Sequence, residues 1–294
     1  MARWLARLLK DPPPGFVFEL SEAGIAMART TQPPKFEFRP LEPDVLSVSP
    51  VRDNVLRLEA LTAEVRALAQ LTETRKHPGA VVLLPDGSVR VSVLDFDAFP
   101  SDAAQQLSLI RFRLKKSLPF DLEASSLSYS VQAVGGGRVD VVTAVAPLEI
   151  VARYEAAFRA AGFHPGLVTT STLATLNLVR GETAVVLVKL SGRVLTLSLS
   201  QRSMLKLLRT IELADGTPEE ILGHLHPTFA YAEDQLAARP ERLLVCGFDG
   251  HGPELAGAFE RELGVAAEPL RSRFGTAGAH NAGLLGCLEF LERA

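Results

Sequence analysis

Apolar residues fall along the chain in two patterns, short runs bounded by turn residues and longer stretches with a helical period. Phe16–Leu20, Gly24–Thr30 and Phe36–Leu41 are short runs separated by polar turns, which predicts three strands. From Val51 the spacing changes. Val55, Leu58, Leu61, Val65 and Leu68 recur every three to four residues, the stripe of an amphipathic helix reaching about Thr72. Val81–Leu84 and Val89–Leu94 flank Pro85-Asp86-Gly87-Ser88, a strand–turn–strand signal. Asp102 to Lys116 reads as a helix that Pro119 closes. Tyr129–Val134 and Val139–Val145 flank Gly135-Gly136-Gly137 and predict a hairpin; Pro147 opens a helix that Gly162 ends, and Ser171–Val179 adds another.

The second half restarts the same order. Val185–Leu190, Val194–Leu199 and Leu205–Leu213 are predicted strands, Thr217–Ala238 is mostly helical, and Leu243–Cys246 is a short buried strand. Pro253–Leu263 and Gly278–Glu292 follow as helices. Laid over each other, Phe18–Ser21, a turn and Ile25–Met27 match Val188–Ser191, a turn and Leu195–Leu197. The repeat predicts two α/β lobes of related topology with a cleft between them.

A chain of 294 residues is long enough for two such cores. Lys+Arg 31 against Asp+Glu 34 gives a formal charge of -3, which advertises no basic surface for nucleic acid. No apolar run approaches the roughly 18–20 residues of a membrane-spanning helix. The first ten residues are too short and charged for a signal peptide. They pattern as an amphipathic helix, with Trp4, Leu5, Leu8 and Leu9 opposite Arg3, Arg7 and Lys10, before a stiff Pro12–Pro14 linker. Two readings follow: peripheral contact with an anionic membrane, or docking on the protein's own domain. Cys246 and Cys287, both in apolar sequence, form neither a disulfide framework nor a zinc-ligand spacing and read as buried thiols in a reducing compartment.

Few residues advertise chemistry. His224 and His226 point to different sides of a helix, Pro227 breaks the local geometry, and no third ligand is placed, so a metal site is not expected. His164, before Pro165, reads as a turn residue. Gly135–Gly137 lies between strands rather than before a helix, which makes it a turn and not a phosphate loop. Asp95 and Asp97 read as a strand edge or turn. Arg111, Arg113, Lys115 and Lys116 form a basic cluster that is either a solvated helix face or a contact for an acidic partner segment.

Three stretches carry a resemblance. They are Leu109–Glu123, a helix ending in Pro119-Phe120 before a strand containing Tyr129; Val141–Pro147 leading through Tyr154 to Ala161-Gly162-Phe163-His164-Pro165; and Asn281-Ala282-Gly283-Leu284-Leu285. In this order and spacing the chain resembles the PilM family of type IV pilus assembly proteins, relatives of FtsA within the actin, sugar-kinase and Hsp70 superfamily. The resemblance implies an α/β, duplicated actin-like (ribonuclease H-like) fold. Residues 1–10 would be the N-terminal helix. Lobe one would span 11–180 with an inserted small subdomain at about 89–165, lobe two 181–280, and the closing helix 281–294.

It also implies where nucleotide would bind, in two Asp-x-Gly turns and a Gly run. At the matching positions this chain has Glu19 and Ser21, Lys189 and Ser191, and Gly247 to Gly250 around Phe248 and Asp249. Lys189 reverses the charge a Mg²⁺ ligand needs, and each Ser adds a Cβ where backbone must approach phosphate. These are relic positions on this reading: no catalytic residues and no metal site are expected, and bound ATP and Mg²⁺ are disfavoured. Glu19 and Lys189 are expected to form an ion pair across the cleft in place of metal and nucleotide. The stretch from Leu213 to Leu243 is too short for the subdomain that covers the base in the family, so lobe two is expected to be reduced.

The implied role is a non-catalytic scaffold at the inner face of the cytoplasmic membrane. It would bind the cytoplasmic tail of a bitopic PilN-like protein, and other pilus platform proteins are possible partners. The wall of that site is expected around Arg111, Lys115, Pro119 and Phe120. An active Mg²⁺-dependent ATPase or kinase, and a type II secretion platform component, are the alternatives.

Overall fold

The computed structural model describes residues 14–70, 77–248 and 252–293; the proposed helix at residues 1–10 and Gly250 lie outside them. Lobe one is built on β1 (Phe16–Ser21), β2 (Gly24–Arg29) and β3 (Lys35–Pro40), an antiparallel meander. Helix α1 (Leu58–Ala69) follows, and then β4 (Gly79–Leu84) joins β1 in parallel. The sheet closes with β8 (His164–Thr170), in the order β3-β2-β1-β4-β8. Lobe two repeats this plan with β9 (Val185–Ser191), β10 (Val194–Gln201), β11 (Met204–Glu212), β12 (Arg242–Cys246) and β13 (Ala267–Pro269), in the order β11-β10-β9-β12-β13. The central strands β1, β4 and β9 are nearly continuous apolar runs because both of their faces are covered.

One face of each sheet packs on its own helices. In lobe one these are α1 and α3 (Leu148–Ala160), whose Leu61, Val65, Ile150, Tyr154 and Phe158 meet Phe18 and Val82. In lobe two α5 (Pro218–Leu236) and α6 (Gly252–Leu263) play the same part, through residues such as Ile221, Leu225 and Phe259. The opposite faces share α4 (Ser171–Thr175) and α7 (Ala282–Leu291). Helix α7 is apolar all round and buried from Ala282 to Glu289. It meets lobe one through Leu284, Cys287 and Leu288 and lobe two through Ala282 and Leu285, so it is a wedge between the lobes.

The inserted sheet has the order β5-β7-β6, from β5 (Arg90–Phe96), β6 (Ser125–Gly135) and β7 (Arg138–Pro147). Helix α2 (Ala103–Leu114) covers it, with Asp102 as N-cap and Ile110 and Leu114 buried against Phe96, Val141 and Val145. The insert's sheet ends at Pro147, and α3 packs in the core of lobe one rather than with the insert.

Three local expectations are corrected. β4 and β5 are not a hairpin: β4 pairs with β1 and β8, β5 pairs with β7, and Asp86–Ser88 forms a 3-10 turn. A strand as apolar as β4 needs sheet neighbours on both edges and cover on both faces, which a hairpin in the small sheet cannot supply. His164 opens strand β8 instead of a turn; Pro165 is tolerated because β8 is an edge strand. Helix α5 runs through Pro227 because Ile221, Leu225, Phe229 and Ala232 are buried on both sides of it, which outweighs the roughly 3 kcal/mol cost of an internal proline.

The wedge depends on glycine. A Cβ on Gly286 would lie 2.1 Å from the Ala174 carbonyl oxygen, and one on Gly283 would lie 2.9 Å from Ser171 Oγ. Gly286→Ala is expected to destabilise the protein by about 1–3 kcal/mol despite the better helix propensity of alanine, as read from the midpoint of chemical denaturation.

Candidate functional site

The cleft between the lobes is floored by the ends of β1 and β9 and by the turn after β4. Lys189 lies in the apolar run of β9, opposite Thr196 on β10 and Cys246 on β12. Its Nζ donates to Asp86 Oδ2 at 2.8 Å, and the two side chains are 4% and 5% exposed. Asp86 Oδ1 accepts the Thr172 backbone N–H at 2.8 Å, and Oδ2 accepts the Thr172 hydroxyl at 2.6 Å and the Thr196 hydroxyl at 3.4 Å. Glu19 is also buried. One of its oxygens accepts the Ser171 hydroxyl and the other accepts the Leu284 N–H at 3.0 Å, in the first turn of α7. Burial works against the charged form of Lys189, but the charges of Asp86 and Glu19 and the hydrogen bond to Asp86 outweigh it and hold its pKa above the ordinary lysine value.

The expected Glu19–Lys189 pair is therefore corrected. Lys189 is bonded to Asp86, and Glu19 acts on it only as a nearby charge while serving as the cap of α7. Each acidic group meets backbone donors at a helix start, where negative charge is favoured. Of the other sequence-predicted positions, Ser21 closes the β1–β2 turn through Gly24 at 3.2 Å, and Ser191 ends β9 opposite Val194. Gly247 has φ +86°, and a Cβ there would lie 1.9 Å from the Leu190 carbonyl oxygen, so the turn after β12 packs directly on the end of β9. Nothing local in the sequence marks Asp86, Ser171, Thr172 or Thr196 as a residue of the cleft. Pro85-Asp86-Gly87 was visible as a turn, but nothing local shows that its carboxylate points into a cleft. Among the described residues no group of His, Cys, Asp and Glu side chains is arranged to hold a metal ion.

A second concavity, of about 620 Å³, lies between the inserted sheet and lobe one. Its apolar floor includes Leu84, Val142, Ala144, Val168 and Leu173. Consecutive residues of β6 (Ser128–Ser130) and of β8 (Pro165–Thr170) line it. Side chains alternate along a strand, so a consecutive run means that the strand edge, and not its face, is presented. Both strands are outermost in their sheets and carry unpaired backbone groups there. Cys287 also lines the groove; burial and the Glu19 charge push its thiol up to about 12, which leaves it a neutral apolar surface. The sequence-predicted residues Arg111, Lys115, Pro119 and Phe120 lie together in a separate shallow pocket beside Phe112, which is 74% exposed, and none of them lines the groove.

Two sheets of identical strand order, meeting at a cleft and sharing a wedge helix, decide the fold class. The chain has the actin-like ATPase fold. It is similar to a chain of a PilM-PilN type IV pilus biogenesis complex, with TM-score 0.77 and 18% identity over 95% of this chain and 98% of that one. It is also similar to a Bacteroides thetaiotaomicron protein with actin-like ATPase fold and unknown function, with TM-score 0.55 and 10% identity over 96% and 98% of the two chains. A third similar structure is the cytoplasmic domain of EpsL, an inner membrane component of the Vibrio cholerae type II secretion system; its TM-score is 0.50 and its identity 15%, over 78% of this chain and 80% of that one. No protein-family model and no curated protein sequence matches the chain. Between β11 and β12 lobe two carries α5, the counterpart of α1 between β3 and β4 in lobe one.

Lys189→Met would strand the Asp86 carboxylate in the protein interior, with an expected loss of about 3–5 kcal/mol in urea unfolding. Asp86→Asn combined with Lys189→Met should recover most of it, since the amide can still accept from Thr172. Because the folded pKa of Lys189 lies above the ordinary 10.5, its stabilisation is fully present below pH 10.5 and is lost only as pH rises through the higher folded value. The difference in stability between wild type and the double variant, which has no carboxylate left to titrate at position 86, should accordingly stay flat from pH 6 to 9.

Proposed function

We propose that this protein is a non-catalytic cytoplasmic scaffold of an inner-membrane assembly platform, and that the groove between the inserted sheet and lobe one receives the cytoplasmic tail of a bitopic membrane protein. The observation that carries the reading is the groove itself, an apolar floor flanked by the two unpaired strand edges of β6 and β8. An extended peptide satisfies such an edge with main-chain hydrogen bonds and gains specificity by placing alternate side chains on the floor. The likeness to a chain of a PilM-PilN complex supports a PilN-like tail as the occupant and a type IV pilus as the setting. The likeness to the EpsL cytoplasmic domain favours a second reading, a type II secretion platform, in which the same groove serves a different tail.

The non-catalytic part of the proposal rests on the cleft. Lys189 stands where a Mg²⁺-binding carboxylate is needed, and its ammonium already neutralises Asp86. No helix among the described residues is long and apolar enough to cross a membrane. In this reading attachment is peripheral, through the tail and through residues 1–10. The pocket beside Phe112, with Arg111, Lys115, Pro119 and Phe120, is left for other platform proteins.

A fluorescent peptide copying the tail of a bitopic protein encoded beside this chain is expected to bind the intact protein, and Ala144→Arg, which places a charge on the groove floor, to weaken it more than tenfold. No binding by the folded wild type, or equal binding by the variant, would remove the groove assignment. Calorimetry with ATP and Mg²⁺ should give no heat of binding; micromolar affinity would overturn the non-catalytic reading.

A further inference from the structure

The inserted sheet does more than wall the groove. Gln132 on β6 and Asp140 on β7 are cross-strand partners, and both reach away from lobe one to the outer edge of β11 in lobe two. The Gln132 side-chain amide donates to the Leu205 carbonyl oxygen at 2.8 Å, and its oxygen accepts the Leu205 N–H at 2.9 Å. It thus supplies both bonds that a neighbouring strand would give. Beside it, Lys206 Nζ lies 2.7 Å from Asp140 Oδ2, with the two side chains 8% and 16% exposed. Asp140 also pairs with Asp95 on the neighbouring strand β5, a like-charge pair that needs the cations it has, Lys206 on Asp140 and Arg113 on Asp95 at 3.4 Å.

We infer that the inserted sheet is a strap that fastens lobe one to lobe two and holds the cleft at one fixed spacing without a ligand. Two-lobed proteins close on a ligand by hinge motion, and a single tie across the seam would still allow rotation about itself. Here the seam is tied at separate places. Lys189–Asp86 joins the lobes at the cleft floor, and Gln132–Leu205 with Asp140–Lys206 joins them at the insert. The amide fork is satisfied at only one lateral offset of β11, because both of its bonds end on the same residue. Opening the cleft would break it and strand a largely buried ion pair. Leu205 also lines the groove, so the strap gives the groove a rigid end wall.

This inference stands apart from the peptide reading, since it concerns the protein alone. Hydrogen exchange followed by mass spectrometry on the full chain tests it. Residues 204–207 at the edge of β11 should exchange at least tenfold more slowly than an unpaired strand edge, and the rate should not change when ATP and Mg²⁺ are added. In Gln132→Ala/Asp140→Asn the same segment should exchange more than tenfold faster, with β9 and β12 unaffected and the circular dichroism unchanged. If that variant does not fold, Lys206→Gln gives the same readout. Fast exchange at this edge in the wild type, a change on adding nucleotide, or equal protection in the folded variants would overturn the strap.

Discussion

One buried ion pair sets the terms for the rest of the molecule. An isolated ammonium inside a protein costs several kcal/mol, so Lys189, buried near the end of an apolar central strand, obliges the fold to bring a carboxylate to it. Asp86 is that group, and it can arrive only if the turn after β4 faces the end of β9. Meeting that demand aligns the two lobes. The same carboxylate takes the first amide of α4 as well as the Thr172 hydroxyl, and Glu19 takes an amide at the start of α7. The charges of the cleft floor are thus distributed between one ammonium and two helix ends.

The wedge helix follows from the same arrangement. Because Glu19 caps it and Gly283 and Gly286 admit it, α7 can lie against α4 and bury residues into both lobes at once. A helix apolar on every side has nowhere else to go in water. The wedge also lines the open groove, through Cys287 and Phe290, where β6 of the inserted sheet and β8 of lobe one present their edges over an apolar floor.

Much of this was legible residue by residue. Both meanders, the amphipathic stripe through Leu61 and Val65, and the glycine-turned hairpin of the insert follow from local periodicity, because each side chain's burial is dictated by its neighbours in sequence. The repeat of Phe18–Ser21 in Val188–Ser191 was enough to announce duplicated lobes. Lys189 could be singled out as a charge where a metal ligand would be expected. What local pattern could not supply was its partner: Glu19 was the symmetrical choice, yet the bond goes to Asp86, 103 residues from Lys189, in a turn that looked like an ordinary hairpin. Likewise Arg111, Lys115, Pro119 and Phe120 do cluster, but on the outer side of the insert.

By itself, then, the sequence determined the elements and the duplication, since period and composition act over a few residues; Lys189 stands out only against the motif of the family the chain resembles. The tertiary structure alone decided which strands are neighbours, which carboxylate meets the lysine, and that Gln132 and Lys206 tie the lobes together. Those outcomes depend on groups far apart in the chain satisfying each other's hydrogen bonds and charge, and only closure of the whole fold brings them within reach.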